Sequence, residues 1–150
     1  MDRIEKQEYI IGSISLLSNK LTQFGDSIFP DITFKQWFLL VMISKMEMKE
    51  KNINAIASFV GTTRQNVKKM LEPLKAKGYV SIEKSAQDTR SLKIELTQKA
   101  YEYFNDNTVT ATEEENRLFT PFSDDELTDL SSKLSKLLDC FAAYERGKIK

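Results

Sequence analysis

The side chains best suited to chemistry in this 150-residue chain cluster in the run Gly61-Thr62-Thr63-Arg64-Gln65-Asn66-Val67-Lys68-Lys69. Arg64 and Gln65 are residue types that hydrogen-bond to nucleobase edges. Lys68 and Lys69 are types that bind phosphates. Further along, Asp88 and Arg90 stand two apart in a polar stretch, where a carboxylate can orient a guanidinium for entry into a narrow, electronegative groove. The inventory for catalysis is poor by comparison. There is no histidine and only one cysteine, Cys140, which excludes His-based acid/base work, Ser-His-Asp and Cys-His arrangements, and His/Cys zinc sites.

The elements that must position these residues can be read from periodicity. Ala55, Ile56, Phe59 and Val60 form a short amphipathic helix that Gly61 breaks, and Thr62 or Thr63 opens a second, with Gln65 completing a capping box from Thr62. Val67, Met70, Leu71 and Leu74 recur at spacings of three and four and face inward, leaving Arg64, Gln65, Lys68 and Lys69 outside. Asn66, third from the helix start, also suits the cap. Pro73 removes a backbone donor and predicts a kink or an early end to this helix. Gly78 stops it. Tyr79 to Glu83 and Leu92 to Leu96 then alternate as two strands joined by a polar, basic-tipped loop, and Ile53 is a candidate for a short strand beside them.

A helix-turn-helix followed directly by such a hairpin is a winged helix. The residues Gly61 to Val67, Leu71, Leu74, Lys77-Gly78-Tyr79-Val80, Asp88-Thr89-Arg90-Ser91 and Leu96-Thr97 resemble the multiple-antibiotic-resistance regulator (MarR) family, the D-x-R-S run being the most specific piece. The resemblance spans roughly Phe34 to Thr97 and rests elsewhere on helix order and length. It implies a mainly α fold with a small β-hairpin wing, in which terminal helices dimerise. It implies a sequence-specific regulator of transcription that binds double-stranded DNA as a homodimer on a pseudo-palindromic operator, usually a repressor released by a ligand. The DNA-contacting set carried over is Thr63, Arg64, Gln65, Asn66, Lys68, Lys69, Asp88, Arg90 and Ser91. In the family a small-molecule pocket lies between the dimerisation helices and the winged helix, so Phe24, Trp37, Phe38 and Met42 either line a site for a small aromatic or apolar effector or serve as plain core. No cofactor, metal or enzymatic activity is implied. The alternative is a winged helix that docks proteins and binds no DNA; a basic wing tip argues against it.

The rest of the chain bounds the reading. With 41% hydrophobic residues it has apolar material for one ordinary domain, with dimerisation helices at about 1–34 and 97–150 and a DNA-binding lobe at about 35–96. Net charge is zero, but Arg64 to Lys93 holds eight Lys/Arg against three Asp/Glu, a local +5, whereas Glu102 to Asp129 holds one Arg against nine Asp/Glu, a local −8. One cysteine and no apolar run near the ~20 residues of a membrane span suggest a reducing, cytoplasmic setting without a membrane partner. Ile10, Ile14, Leu17, Leu21, Phe24 and Ile28 form one apolar stripe, and Leu127, Leu130, Leu134, Leu137, Phe141 and Tyr144 form another. Two such stripes exceed what a single small domain can cover, so Ile10, Ile14, Leu17, Leu130, Leu134, Leu137 and Phe141 are the expected dimer interface. Trp37 to Ile43 is apolar all round and should be buried on most sides. Thr33-Phe34-Lys35-Gln36 and Ser123-Asp124-Asp125-Glu126 read as capping boxes, Thr97 as a further cap, and Cys140 as a small buried hydrophobe.

Overall fold

Side-chain caps set where several of the helices begin. Thr33 Oγ1 accepts from the Gln36 amide at 3.2 Å while Gln36 Oε1 accepts from the Thr33 amide at 2.9 Å. Ser123 and Glu126 exchange the same pair of bonds, and Asn52 Oδ1 accepts from the Ala55 amide at 2.8 Å. The computed structural model describes residues 1–148. It runs α1 (Arg3–Ile28), α2 (Phe34–Lys45), α3 (Ile53–Val60), α4 (Arg64–Ala76), β1 (Val80–Lys84), β2 (Leu92–Leu96), α5 (Gln98–Phe119) and α6 (Asp124–Lys148). Two compact units result, Met1–Ala111 and Thr112–Lys150, with the division inside α5. Among the described residues no helix is long and apolar enough to cross a membrane.

The core of the first unit is made by Leu39, Leu40 and Ile43 of α2, Ile56 of α3, Val67, Leu71 and Leu74 of α4 and Ile94 of β2, all fully buried. The strands pair antiparallel with Val80 opposite Leu96 and Ile82 opposite Ile94. Gly25 of α1 is buried against the Phe34 ring of α2, so closely that a Cβ there would overlap the ring. Asp26 Oδ1 accepts from the Phe34 amide at 2.7 Å at the same crossing.

Several expectations need correction. Pro73 neither ends nor shortens α4, which continues to Ala76. Leu71 and Leu74 flank it in the core, and burial of two leucines outweighs the roughly 3 kcal/mol that an interior proline costs. Ile53 is not a strand residue but the first of α3; the bridge to β2 is made two places earlier, where Lys51 O accepts from the Ile94 amide at 2.7 Å. The Trp37–Ile43 run of α2 is covered on most sides, Leu39, Leu40 and Ile43 fully and Trp37, Val41 and Met42 by half, and Phe38 alone of that run is exposed. The Thr97 hydroxyl, expected to cap α5, instead donates to Gly78 O at 2.6 Å. Cys140 is exposed, because α6 presents no buried residue at all.

A polar junction, unmarked in the sequence, ties the α1–α2 turn to the end of α4. Asp31 sits in the left-handed region at φ 69°, and its carboxylate accepts from Tyr79 Oη at 2.5 Å and from Lys77 Nζ at 3.3 Å. Tyr103 Oη donates to Pro30 O at 2.7 Å, and its ring meets Tyr79 edge-on at 5.5 Å. The hydrogen bond from Tyr79, then the Lys77 ammonium, hold the Asp31 carboxyl below its ordinary 3.8, while burial pushes the Tyr103 hydroxyl up to about 12. A depressed carboxyl stabilises the fold above its unfolded pKa and ceases to do so as pH falls through the folded value. Tyr79→Phe is therefore expected to lower the melting temperature at pH 7 and to lose most of that deficit once the pH has fallen through the depressed Asp31 value, where a protonated Asp31 no longer depends on the donor. A deficit that is the same at both pH values would show that Tyr79 acts through packing alone.

Candidate nucleic-acid interface

The turn that presents α4 is built by one glycine and one threonine. Gly61 takes a left-handed conformation at φ 79°, and its amide and that of Thr62 both donate to Ala57 O at 3.0 Å, closing α3. Thr63, not Thr62, is the N-cap of α4: its hydroxyl accepts from the Asn66 amide at 3.1 Å. The helix thus begins one residue later than a Thr62–Gln65 capping box requires, and Gln65 is left exposed and free of capping duty. Asn66 is drawn into the cap instead, its Nδ2 donating to Thr62 Oγ1 at 2.9 Å.

With Val67 fully buried beneath them, Arg64, Gln65, Lys68 and Lys69 are all exposed. Among the described residues neither lysine has an ion-pair partner. Cationic side chains without internal partners are available to an external anion.

The wing is organised around Ser85, which is buried although polar. Its hydroxyl donates to Glu50 Oε2 at 2.5 Å and accepts from the amides of Gln87 and Asp88 at 3.2 Å each, so the loop is anchored to the α2–α3 connection. Asp88 Oδ1 then accepts from the Arg90 amide at 3.0 Å and faces Arg90 Nε at 3.4 Å. The first of these is an Asx turn, in which the carboxylate shapes the backbone that carries the arginine. The second is a loose pair on a side chain that is 92% exposed, worth under about 1 kcal/mol. Asp88 therefore aims Arg90 more than it neutralises it.

Arg64 and Arg90, far apart in sequence, line one groove of about 410 Å³ between the wing and the start of α3. Asp88 and Ser91 line it too, together with Asn52 and Asn54, which sequence reasoning did not single out. Of the remaining candidate residues, Ile10, Ile14 and Leu17 on α1 are exposed, as are Leu130, Leu134 and Phe141 on α6; Leu137 is half-buried. Trp37 stacks on Phe29 at 4.5 Å and tilts against Phe34 at 5.7 Å, while Phe38 lies 6.3 Å from Phe34. Phe24 and Met42 are half-buried.

Neither a scan of protein-family models nor a search of curated proteins returns a match. Solved structures do match. The S. aureus MepR–DNA complex is 26% identical, with 85% of this chain and 94% of that chain covered at a TM-score of 0.74. A MarR transcriptional regulator from Methanosarcina mazei Go1 is 19% identical over 91% of this chain and 99% of that one, with a TM-score of 0.81. PcaV, a transcriptional regulator from Streptomyces coelicolor solved with its natural ligand, is 15% identical over 84% and 89% of the two chains, with a TM-score of 0.71. Six helices, a two-stranded wing and near-complete coverage of these structures agree: this chain has the fold of the MarR-family transcriptional regulators.

Proposed function

We propose that this protein is a sequence-specific, double-stranded-DNA-binding transcriptional regulator that acts as a homodimer on a pseudo-palindromic operator. The observation that carries the reading is the exposure, on one lobe, of Arg64, Gln65, Lys68 and Lys69 on α4 and Arg90 on the wing. An α4 with such an amino end suits the major groove, and an exposed arginine at a wing tip suits a narrow minor groove. Thr63, Asn66, Asp88 and Ser91 shape and flank these contacts. The likeness to MepR, solved on DNA, supports the same assignment.

Exposed apolar residues on α1 and α6 support a dimer, and two-fold symmetry places two copies of α4 on one face of the duplex with half-site centres roughly 34–36 Å apart. Repression by operator occupancy, relieved by a small aromatic or apolar effector, completes the reading. Phe24, Trp37, Phe38 and Met42 are its proposed contact residues, and the likeness to ligand-bound PcaV supports it. Such an effector releases DNA only in proportion to its differential affinity for the two forms of the dimer. The protein works without enzymatic activity, in the cytoplasm. A protein-docking winged helix is disfavoured by the exposed, only loosely paired Arg90.

The test is to sequence genomic fragments that the purified protein retains at moderate salt. Enrichment of an inverted repeat with the stated spacing is expected. Recovery of fragments indistinguishable from input would reject DNA reading.

A further inference from the structure

The assignments above send Arg64 towards the major groove and Arg90 towards the minor groove, yet in the fold both residues line one groove. The major and minor grooves of a duplex are separated by a sugar–phosphate strand. Whatever lies between an α4 seated in one and a wing seated in the other must be that strand. Arg64 does not extend freely from the end of α4. Its Nη1 donates to Asn54 Oδ1 at 3.3 Å, across the turn on α3, and this contact holds the guanidinium in the groove. An asparagine at that place orients the guanidinium without cancelling its charge, as an aspartate would, and leaves most of its five N–H donors free. The one carboxylate in the groove, Asp88, is already engaged by the Arg90 amide and side chain.

Resting on the DNA-binding reading, we propose that Arg64 grips a backbone phosphodiester of the strand running between α4 and the wing, with Asn54 as its positioning residue. Arg64 then supplies affinity and register, while base readout falls to Gln65 and its neighbours. A phosphate held this way carries no sequence information.

Titrations of wild type, Arg64→Ala, Arg64→Lys and Asn54→Ala against the recovered operator and an unrelated duplex of equal length, at about 50–200 mM salt, decide the matter. Arg64→Ala is expected to weaken both duplexes by the same factor and to lower the salt slope by about 0.9, so that its deficit shrinks about threefold over that fourfold salt range. Arg64→Lys should retain the slope. Asn54→Ala should weaken binding about two- to tenfold, the cost of ordering one long side chain, with the slope unchanged. It should have no further effect in the Arg64→Ala background. A loss confined to the operator would make Arg64 a base reader and overturn the proposal, as would an unaltered slope or full additivity of the two substitutions. Wild type failing to bind either duplex would overturn the parent reading as well, and that outcome is visible before any variant is made.

Discussion

Leu134→Glu is expected to convert the protein to a monomer and to abolish operator binding in the same step. Leu134 is 46% exposed on α6 and lines, with Phe119, Leu127 and Leu130, an apolar groove of about 510 Å³ in the second unit. If a second copy covers this face, a glutamate there must be buried without a partner, at a cost on the order of several kcal/mol. Operator affinity follows because two half-sites engaged together bind about 10²–10⁴ more tightly than one. Leu137 would be a poorer probe. It is half-buried within its own chain, so a charge there confounds association with folding. Sedimentation of wild type and variant at micromolar concentration, beside circular dichroism to show unchanged helix content, reads the first effect; operator titration reads the second. A wild type that sediments as a monomer, or a variant that still dimerises, would remove the basis for the two-fold model.

Arg90→Ala should reduce operator affinity by about 1–3 kcal/mol, or roughly five- to 150-fold, with no change in melting temperature. The stability half of that statement follows from the geometry. The Arg90 side chain is 92% exposed and loosely paired, whereas the wing is held by backbone bonds to Asp88 and Ser85 that alanine retains. Affinity that survives the substitution unchanged would remove the wing from the interface.

Local signals carried much of the architecture. Thr33 with Gln36 and Ser123 with Glu126 cap their helices as their spacing demands, and Gly61 and Gly78 both take positive φ where a helix must stop. Which face of α4 is exposed was legible for the same reason, since Val67, Leu71 and Leu74 fix which side is buried. Contacts between residues distant in sequence were not legible. Asn54 meets Arg64 only because the Gly61 turn folds α3 back on α4; Glu50 meets Ser85 across 35 positions and Asp31 meets Tyr79 across 48. No periodicity encodes such pairs. Pro73 does not end α4 early, because the core on either side of it outweighs local propensity. Cys140 misled because a residue type that is usually buried lies on a helix with no buried residue.

The Lys51 bridge to Ile94 and the Glu50–Ser85 bond tie both ends of the wing to the connection before α3. In the language of local opening, the wing up to Asp88, whose amide Ser85 holds, then belongs to the same cooperative unit as the lobe's core, while the tip at Thr89 and Arg90 opens alone. Amide exchange should divide at that boundary, with Ile94 exchanging as slowly as the core helices and Thr89 almost as freely as an unfolded chain. On the proposed DNA-binding reading, closing on a duplex would accordingly order only a handful of residues and keep the conformational entropy lost on binding small.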